Sequence, residues 1–244
     1  MVRRIKKQGW YGSDYSIMTE LFRIDEYAQV LYRDSHLIVC NKNPGITVIP
    51  ERWSTDGRVS LRERLEQVTG AKVYVIHRID RATSGVILFS RTADVHRMLN
   101  RQFERRLVHK EYLALVQGVV AGPMVIDAPL RQFGSGRMGV HPEGKPSRTD
   151  VVVVERYNGA TLVKVLPKTG RRHQIRVHLF HSGHPVMGDC LYGRDRPVGG
   201  TGRMMLHAAS ITCTYPEGEQ FHIEAPVDTL WEQCIGNFRL SDAP

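Results

Sequence analysis

The apolar residues of this 244-residue chain fall in short runs that are separated by turn-forming residues. Even the longest runs, such as Val151 to Val154, cover only a few residues, whereas a membrane-spanning helix needs roughly 20. Short apolar runs between turns are typical of strands, and only a few segments have the spacing of a helix. We therefore expect an α+β fold around a largely antiparallel central sheet.

Strands are predicted where apolar or β-branched residues are bounded by Gly, Pro, Asn, Asp or Ser. Two of them flank Asp34-Ser35 between Val30 and Cys40 and form a hairpin, and Pro44-Gly45 turns the chain after it. The others cover residues 73–76, 86–89, 111–117, 149–156, 161–166, 204–214 and 220–225. A connection rich in Gly and Pro, roughly residues 131–148, is expected to be exposed.

Three segments have helical spacing. The clearest spans Ser60 to Val68, where Ser60 and Glu63 form a capping box and Gly70 can end the helix. A second is expected at 93–106 and a third at 172–182. We divide the chain into a basic arm at 1–20, one folded domain at 21–236 and a short tail at 237–244.

The charge balance favours a polyanionic partner. The chain has 34 Lys and Arg against 25 Asp and Glu, a net charge of +9, and such a protein is biased toward nucleic acid or an anionic membrane surface. No apolar segment follows the basic N-terminus, so it is not a secretory signal. The four cysteines are widely separated, which fits reduced cytosolic thiols: Cys40, Cys190, Cys213 and Cys234. We expect a cytoplasmic protein, monomeric by default, with an RNA or DNA partner and no membrane association.

One carboxylate lies between two arginines on a short loop. Asp80 is flanked by Arg78 and Arg81, between the predicted strands at 73–76 and 86–89. Adjacent cations favour the ionised carboxylate. The arrangement suits a carboxylate that attacks a substrate or binds a cation, and it equally suits a surface ion pair.

Three further groups of residues are candidates for function. Arg171, Arg172, His173 and Arg176 form a cluster at the start of the third predicted helix, where Arg172 and Arg176 would share a face and could bind phosphate. Arg97, Arg101 and Arg105 recur every fourth residue on the second helix, as a phosphate-tracking stripe or an ordinary solvated face. The histidines of the third helix and beyond suggest a metal, but their spacing matches no metal motif, and surface histidines near a helix C-terminus are the better interpretation: His173, His178, His181 and His184. No metal is expected.

Residue chemistry alone does not select the other members of a site. Tyr112 lies on a predicted strand, where a lone tyrosine usually packs with its hydroxyl at the rim, and nothing favours it over Tyr32 or Tyr157. Thr83 and Ser84 could be nucleophiles, although beside Gly85 they are better suited to capping the turn.

The loop His77-Arg78-Ile79-Asp80-Arg81-x-Thr83-Ser84-Gly85 closely resembles the H-R-L-D-x-x-T-S-G signature of the RluA-type pseudouridine synthases. Ile79 replaces the usual Leu, and Asn43 replaces a Pro of the early turn. Other blocks that resemble the family follow in its order, over about residues 28–228: Lys110-x-Tyr112-x-Ala114, Gly144-Lys145-Pro146, Thr169-Gly170-Arg171-x-His173-Gln174-Ile175-Arg176-x-His178, Gly183-His184-Pro185-x-x-Gly188-Asp189 and Leu206-His207-Ala208.

The resemblance implies the pseudouridine synthase fold, with an active-site cleft across a mixed, largely antiparallel sheet, and no cofactor. It implies that Asp80 is the catalytic aspartate, that Tyr112 removes the C5 proton and that Arg176 pairs with Asp80. It also implies that Arg78 fills the space left by the flipped uridine. Arg81, Arg97, Arg101, Arg105, Arg171, Arg172 and His173 are our candidates for further RNA contacts.

The resemblance predicts an isomerase that acts on uridines in a structured stem-loop of tRNA, ribosomal RNA or both. No S4-type RNA-binding module precedes the catalytic block, so target choice would rest on the catalytic domain and the basic arm. The competing interpretation is a non-catalytic RNA-binding or RNA-chaperone protein that keeps the fold. A metal-dependent hydrolase, based on the four histidines, is a distant third.

Overall fold

A computed structural model describes residues 23–50, 59–134, 136–193, 202–216 and 218–241. The basic arm at 1–20 lies outside these residues. The helices are α1 (Leu61–Thr69), α2 (Ala93–Glu104), α3 (Gln174–His181) and α4 (Thr229–Ser241). The strands are β1 (Arg23–Ile24), β2 (Ala28–Arg33), β3 (Leu37–Lys42), β4 (Tyr74–Val75), β5 (Ser84–Ser90), β6 (His109–Gln117), β7 (Met124–Asp127), β8 (Leu130–Gln132), β9 (Met138–Val140), β10 (Arg148–Tyr157), β11 (Ala160–Pro167), β12 (Leu206–Thr214) and β13 (Gln220–Glu224).

One mixed sheet forms the centre of the described structure. Its main order is β1-β2-β3-β5-β12-β6-β11-β10-β7, with β13 paired to β12 and β4 paired to β5. The pair β5–β12 is parallel, with His207 opposite Ser84 and Ala208 opposite Gly85. β12 also pairs antiparallel with β6. A strand from late in the chain therefore joins a first half, built from β1 to β5, to a second half built around β6, β11 and β10.

Both faces of the sheet are covered by helices, so the central strands are buried on both sides. Every residue of β5 is buried, as expected for a strand between two packed layers. On one face α1 contributes Leu61 and Leu65 to the core of the first half, and α3 contributes Ile175 and Leu179 to that of the second. On the other face α2 packs through Leu99. α4 covers the remaining quarter with Trp231, Cys234 and Ile235.

The sequence predicted most of these elements. α1 has the expected capping box between Ser60 and Glu63 and ends at Gly70, whose φ of 62° is left-handed. β2 and β3 form the hairpin around Asp34-Ser35. The α+β class and the largely antiparallel central sheet are confirmed.

Three expectations need correction. The connection at 131–148 is largely exposed, as expected, but it is not a plain loop, because it carries most of the hairpin β8–β9. The third helix begins at Gln174 rather than 172, because His173 has a left-handed φ of 53°. α4 was not predicted, and it continues across residue 236, where we placed the end of the domain.

Candidate active site

A cleft of about 1000 Å³ opens on the face that carries α1 and α3, where the two halves of the sheet meet. Its walls come from the loop before α1, the Asp80 loop, β6 and the segment 167–176. Asp80, Tyr112 and Arg176 all line it. Among the described lining residues Asp80 is the one carboxylate, whereas six are basic: Arg78, Arg81, Lys110, Arg171, Arg172 and Arg176.

Asp80 pairs with Arg176 across the two halves of the molecule. Arg176 Nη1 donates to Asp80 Oδ2 over 3.0 Å, and the two residues are 96 positions apart in the chain. Arg176 is only 8% exposed. Burial alone would lower the pKa of Arg176, but the carboxylates of Asp189 and Asp80 raise it overall, so the guanidinium is charged.

Asp189 holds the other edge of the same guanidinium. Arg176 Nε and Nη2 donate to the two carboxylate oxygens of Asp189, each over 2.7 Å. The backbone N–H groups of Leu191 and Tyr192 also donate to Asp189 Oδ1. Burial opposes ionisation of Asp189, yet Arg176 and these N–H groups lower its pKa overall. Asp189 was not predicted to have a role, although it lies in the Gly188-Asp189 block that resembles the family.

Tyr192 packs its ring against the arginine of this ion-pair network, and it was not predicted to be a residue of the site. The Arg176 guanidinium lies 5.0 Å from the centre of the Tyr192 ring, within the range of a cation–π contact. Tyr192 Oη accepts from the Met138 N–H at 3.0 Å and lies 2.8 Å from His173 Nδ1. Tyr192 Oη and His173 Nδ1 are thus hydrogen-bonded to each other, and burial lowers the pKa of His173, so its imidazole is neutral. His173 Nε2 lies 3.9 Å from Asp80 Oδ1.

Tyr112 lies on β6, opposite Ala208 of β12, and its ring packs against the cores of both halves. Burial raises the pKa of Tyr112, and the neighbouring Asp80 carboxylate adds to the effect. The side chain is therefore a neutral phenol at physiological pH. Asp80 and Tyr112 share the cleft because β5 and β6 both pair with β12.

The Asp80 loop is held in place from its back by Lys42. This residue is fully buried, and its Nζ donates to the carbonyls of Asn43, Ile46 and Arg81 at 2.8, 2.8 and 3.0 Å. Three carbonyl acceptors use all three hydrogens of an ammonium group, although burial lowers the pKa of Lys42 to about 7. Arg81 Nε also donates to the Gly45 carbonyl over 3.0 Å. Arg81 therefore helps to fix the loop.

A second buried network fixes the far end of the loop. Ser84 Oγ lies 2.8 Å from His207 Nδ1 and accepts from Arg203 Nη2 over 2.7 Å. His207 Nε2 lies 3.1 Å from the Ala225 carbonyl. Since a carbonyl can only accept, the His207 proton is on Nε2, and the Ser84 hydroxyl donates to Nδ1. Arg203 Nη1 in turn donates to the Asp228 carboxylate. Ser84 thus has a structural role in this network, but the partners of its hydroxyl are His207 and Arg203 and not the turn that we expected it to cap.

The other RNA-contact candidates lie in different places. Arg78 is exposed at the mouth of the cleft, and Arg171 and Arg172 line its opposite wall. Arg172 precedes α3 and does not share a helical face with Arg176. The reason is a loop before the helix, in which Gln174 Oε1 accepts hydrogen bonds from the Arg171 N–H and from Thr169 Oγ1. Three other candidates are exposed on or just after α2, outside the cleft lining: Arg97, Arg101 and Arg105. Of these, Arg97 forms an ion pair with Asp94.

The histidines are not a uniform set of surface residues. His178 is fully buried, with its ring nitrogens 2.8 Å from Thr149 Oγ1 and 2.9 Å from the Ala128 carbonyl. His173 belongs to the Asp80 cluster, and His184 contacts the Gln117 carbonyl. The surface interpretation is wrong for His178, because its ring joins α3 to the strand and loop beside it. Within the described part of the chain, no three His, Cys, Asp or Glu residues are grouped so as to hold a metal ion.

Comparison with known proteins defines the class. The family model of RNA pseudouridylate synthases matches residues 36–181, which include Asp80, Tyr112 and Arg176. The chain belongs to the RNA pseudouridylate synthase family and is an RNA pseudouridine synthase.

No described helix is long and apolar enough to cross a membrane.

Curated relatives extend the likeness over most of the chain. The ribosomal large subunit pseudouridine synthase C of Yersinia pestis is 39% identical over 217 residues, which cover 84% of this chain and 68% of the relative. The protein of the same name from Escherichia coli K12 is 39% identical over 223 residues, 86% of this chain and 70% of the relative.

Solved structures share the fold. The structure titled human RNA pseudouridylate synthase domain containing 1 is 28% identical, has a TM-score of 0.71, and the match covers 91% of this chain and 98% of that one. Human RNA pseudouridylate synthase domain containing 4 has the same TM-score at 22% identity, over 86% of this chain and 92% of that one. The predicted pseudouridine synthase fold is confirmed.

Proposed function

We propose that this protein isomerises uridine to pseudouridine in large-subunit ribosomal RNA, with Asp80 as the catalytic carboxylate. One observation carries the residue assignment: among the described residues of the cleft lining, Asp80 is the one acid, and Arg176 holds it from 3.0 Å. The ribosomal substrate rests on the names of the relatives in Yersinia pestis and Escherichia coli.

The reaction breaks the bond between ribose C1′ and uracil N1, turns the base and joins C1′ to C5. N1 gains a proton and C5 loses one, so nothing is imported or oxidised. A carboxylate beside the anomeric carbon can attack C1′, stabilise positive charge there or remove a proton from the sugar. Each of these roles requires an anion. Arg176 favours that anion, and the bidentate contact with Asp189 keeps the guanidinium directed at Asp80.

Tyr112 is our candidate for the group that removes the C5 proton. As a neutral phenol it can take the C5 proton only while its own hydroxyl proton passes to a second acceptor, such as water in the cleft. Loss of the C5 proton restores the conjugation of the uracil ring, which favours this step. His173, whose neutral imidazole faces Asp80, orders the same wall of the cleft. Arg78, exposed beside Asp80, is placed to fill the gap that a flipped uridine leaves in its stem.

The role of Asp80 is tested by tritium release from RNA that carries 5-tritiated uridine. Asp80→Asn keeps the shape of the side chain and removes its charge, and we expect kcat to fall by more than about 1000-fold. Asp94→Asn makes the same change on the exposed surface of α2 and is expected to leave kcat unchanged. Undiminished tritium release by Asp80→Asn would refute the assignment.

The substrate is tested by mapping pseudouridine in cellular RNA with and without the gene. We expect sites to vanish from large-subunit ribosomal RNA. Loss of sites from tRNA alone would assign the enzyme to tRNA stem-loops instead. A protein that binds RNA but releases no tritium from RNA that lacks its modification would support the non-catalytic alternative. A cytoplasmic, monomeric enzyme is the form that we propose, and sedimentation of the purified protein tests the monomer.

A further inference from the structure

Lys110 is a basic residue of the cleft lining that has no part in the reaction described above. It lies on β6, two positions before Tyr112, so both side chains leave the strand on the same side. Both line the cleft. The step between them is about 7 Å along the strand, so Lys110 lies beside Tyr112 on the same wall of the cleft.

The environment of Lys110 is unfavourable for a cation in the free protein. The residue is half-buried, and burial lowers its pKa with no carboxylate to offset the effect. No ion pair involves Lys110 among the described residues, whereas Lys164 on the neighbouring strand pairs with Glu111 at 2.9 Å. A partly buried charge without a counter-ion costs stability. Such a cost is typical of residues that are kept for a ligand.

The surroundings of Lys110 define what the ligand is. Its Nζ lies against Gly170, where an added Cβ would be 3.8 Å away, and Gly170 leads into Arg171 and Arg172 on the same wall. Lys110 and this wall therefore border the same part of the cleft. None of the described residues that line this end is acidic, so they repel cations and attract an anion. The anion that every RNA brings beside a reacting base is a backbone phosphate.

We infer that Lys110, together with the Gly170-Arg171-Arg172 wall, binds a backbone phosphate beside the target uridine. The inference rests on the proposed function only in taking RNA as the occupant of the cleft. In this arrangement Arg176 and Asp189 orient the carboxylate, whereas Lys110 fixes the position of the sugar-phosphate backbone. Lys110 is then a binding residue that contributes to the ground state and the transition state alike.

The test compares Lys110→Met with wild type, using Lys110→Arg and Lys164→Met as controls. Lys110→Met removes the charge and keeps the length, Lys110→Arg keeps the charge, and Lys164→Met removes a strand lysine from outside the cleft. RNA affinity is measured by filter binding to a large-subunit ribosomal RNA transcript at several salt concentrations. Single-turnover tritium release from the same transcript gives the rate at saturating enzyme.

Loss of one phosphate contact reduces the slope of log affinity against log salt by about 0.7 to 0.9. We expect this change for Lys110→Met, with a single-turnover rate within about threefold of wild type, and we expect wild-type slopes for Lys110→Arg and Lys164→Met. An unchanged slope with a large fall in rate would place Lys110 on the uracil ring and overturn the inference. An unchanged slope and rate would overturn it as well.

Thermal melting of the RNA-free protein separates binding from folding. Because Lys110 has no ion pair among the residues that the structure describes, and burial disfavours its charge, Lys110→Met should melt at or above the wild-type temperature. A clearly lower melting temperature would assign Lys110 to the fold and overturn the inference. Failure of the proposed function is distinguishable, since a wild-type protein that releases no tritium would still give the salt slope by filter binding.

Discussion

Arg176 binds two carboxylates, and the geometry of its guanidinium decides what each of them can do. Asp189 occupies Nε and Nη2, so Nη1 is the edge that remains for Asp80. Asp189 is itself fixed by two backbone N–H groups and is almost fully buried. The position of the Asp80 carboxylate is therefore set by a residue on the opposite side of the arginine.

This geometry predicts the effect of Asp189→Asn. An amide offers one oxygen where the carboxylate offers two, so the guanidinium loses its bidentate contact and part of its orientation. We expect kcat to fall by up to about 100-fold, since a small misplacement near the reacting atoms has effects of that order. The free energy of unfolding should fall by about 3 kcal/mol, as for a broken buried ion pair. Tritium release and urea unfolding measure the two.

Asp34→Asn is the matched control, because Asp34 also accepts from two backbone N–H groups and lies outside the cleft lining. It should lower stability without a comparable loss of kcat. Equal losses of kcat in the two variants would show that Asp189 acts only through the general stability of the fold.

At the residue scale, sequence reasoning found the members of the site but not their supports. Asp80, Tyr112 and Arg176 came from a resemblance to family motifs, since composition and spacing gave no reason to select Tyr112. Lys42 and Tyr192 were not assigned roles, because their partners are backbone carbonyls or groups distant in sequence. Contacts of that kind leave no local pattern in a sequence.

The parallel pair β5–β12 is the element that holds the catalytic loop to the rest of the sheet. His207 of β12 lies opposite Ser84 of β5, and the Ser84 hydroxyl donates to its Nδ1. Burial lowers the pKa of His207 to about 4, whereas an unfolded histidine titrates near pH 6.5. The hydrogen-bond network needs the neutral imidazole, because Nδ1 must accept.

The sign of the resulting pH dependence follows from these values. Between about pH 6.5 and 4 the unfolded chain binds a proton at residue 207 that the folded protein does not, so stability falls as the pH is lowered. The loss is at most about 1.4 kcal/mol per pH unit in this window. Urea unfolding between pH 7.5 and 4.5 measures it. In His207→Asn the slope of the unfolding free energy against pH should be smaller by this amount. An unchanged slope would contradict the assignment of a neutral, hydrogen-bonded imidazole to His207.

Helices and strands were predicted well where one short sequence pattern determines them. They were predicted poorly where packing against distant parts of the chain determines them. α1 was found from its capping box, and the hairpin β2–β3 from its apolar runs and turn. α4 was missed because its burial depends on a surface formed by Leu115 and Met187, far away in the chain. The start of α3 was placed two residues early because the Gln174 side chain, and not helical spacing, ends the preceding loop.

The whole molecule consists of two half-sheets that share β12. Tyr112 packs against the cores of both halves, and Arg176 of the second half binds Asp80 of the first. We expect the sheet to open as one unit, so that amides of β3 and β11 exchange hydrogen with the same free energy of opening. A lower value for either half would show that the halves unfold separately.

The late position of β12 also has a consequence for synthesis on the ribosome. Asp80, Tyr112 and Arg176 are all translated before residue 206, yet the strand that brings their half-sheets together has not then been made. Domains fold as units during synthesis, so a nascent or prematurely terminated chain contains every proposed catalytic side chain without a formed cleft. We therefore expect the enzyme to remain inactive until β12 has been translated.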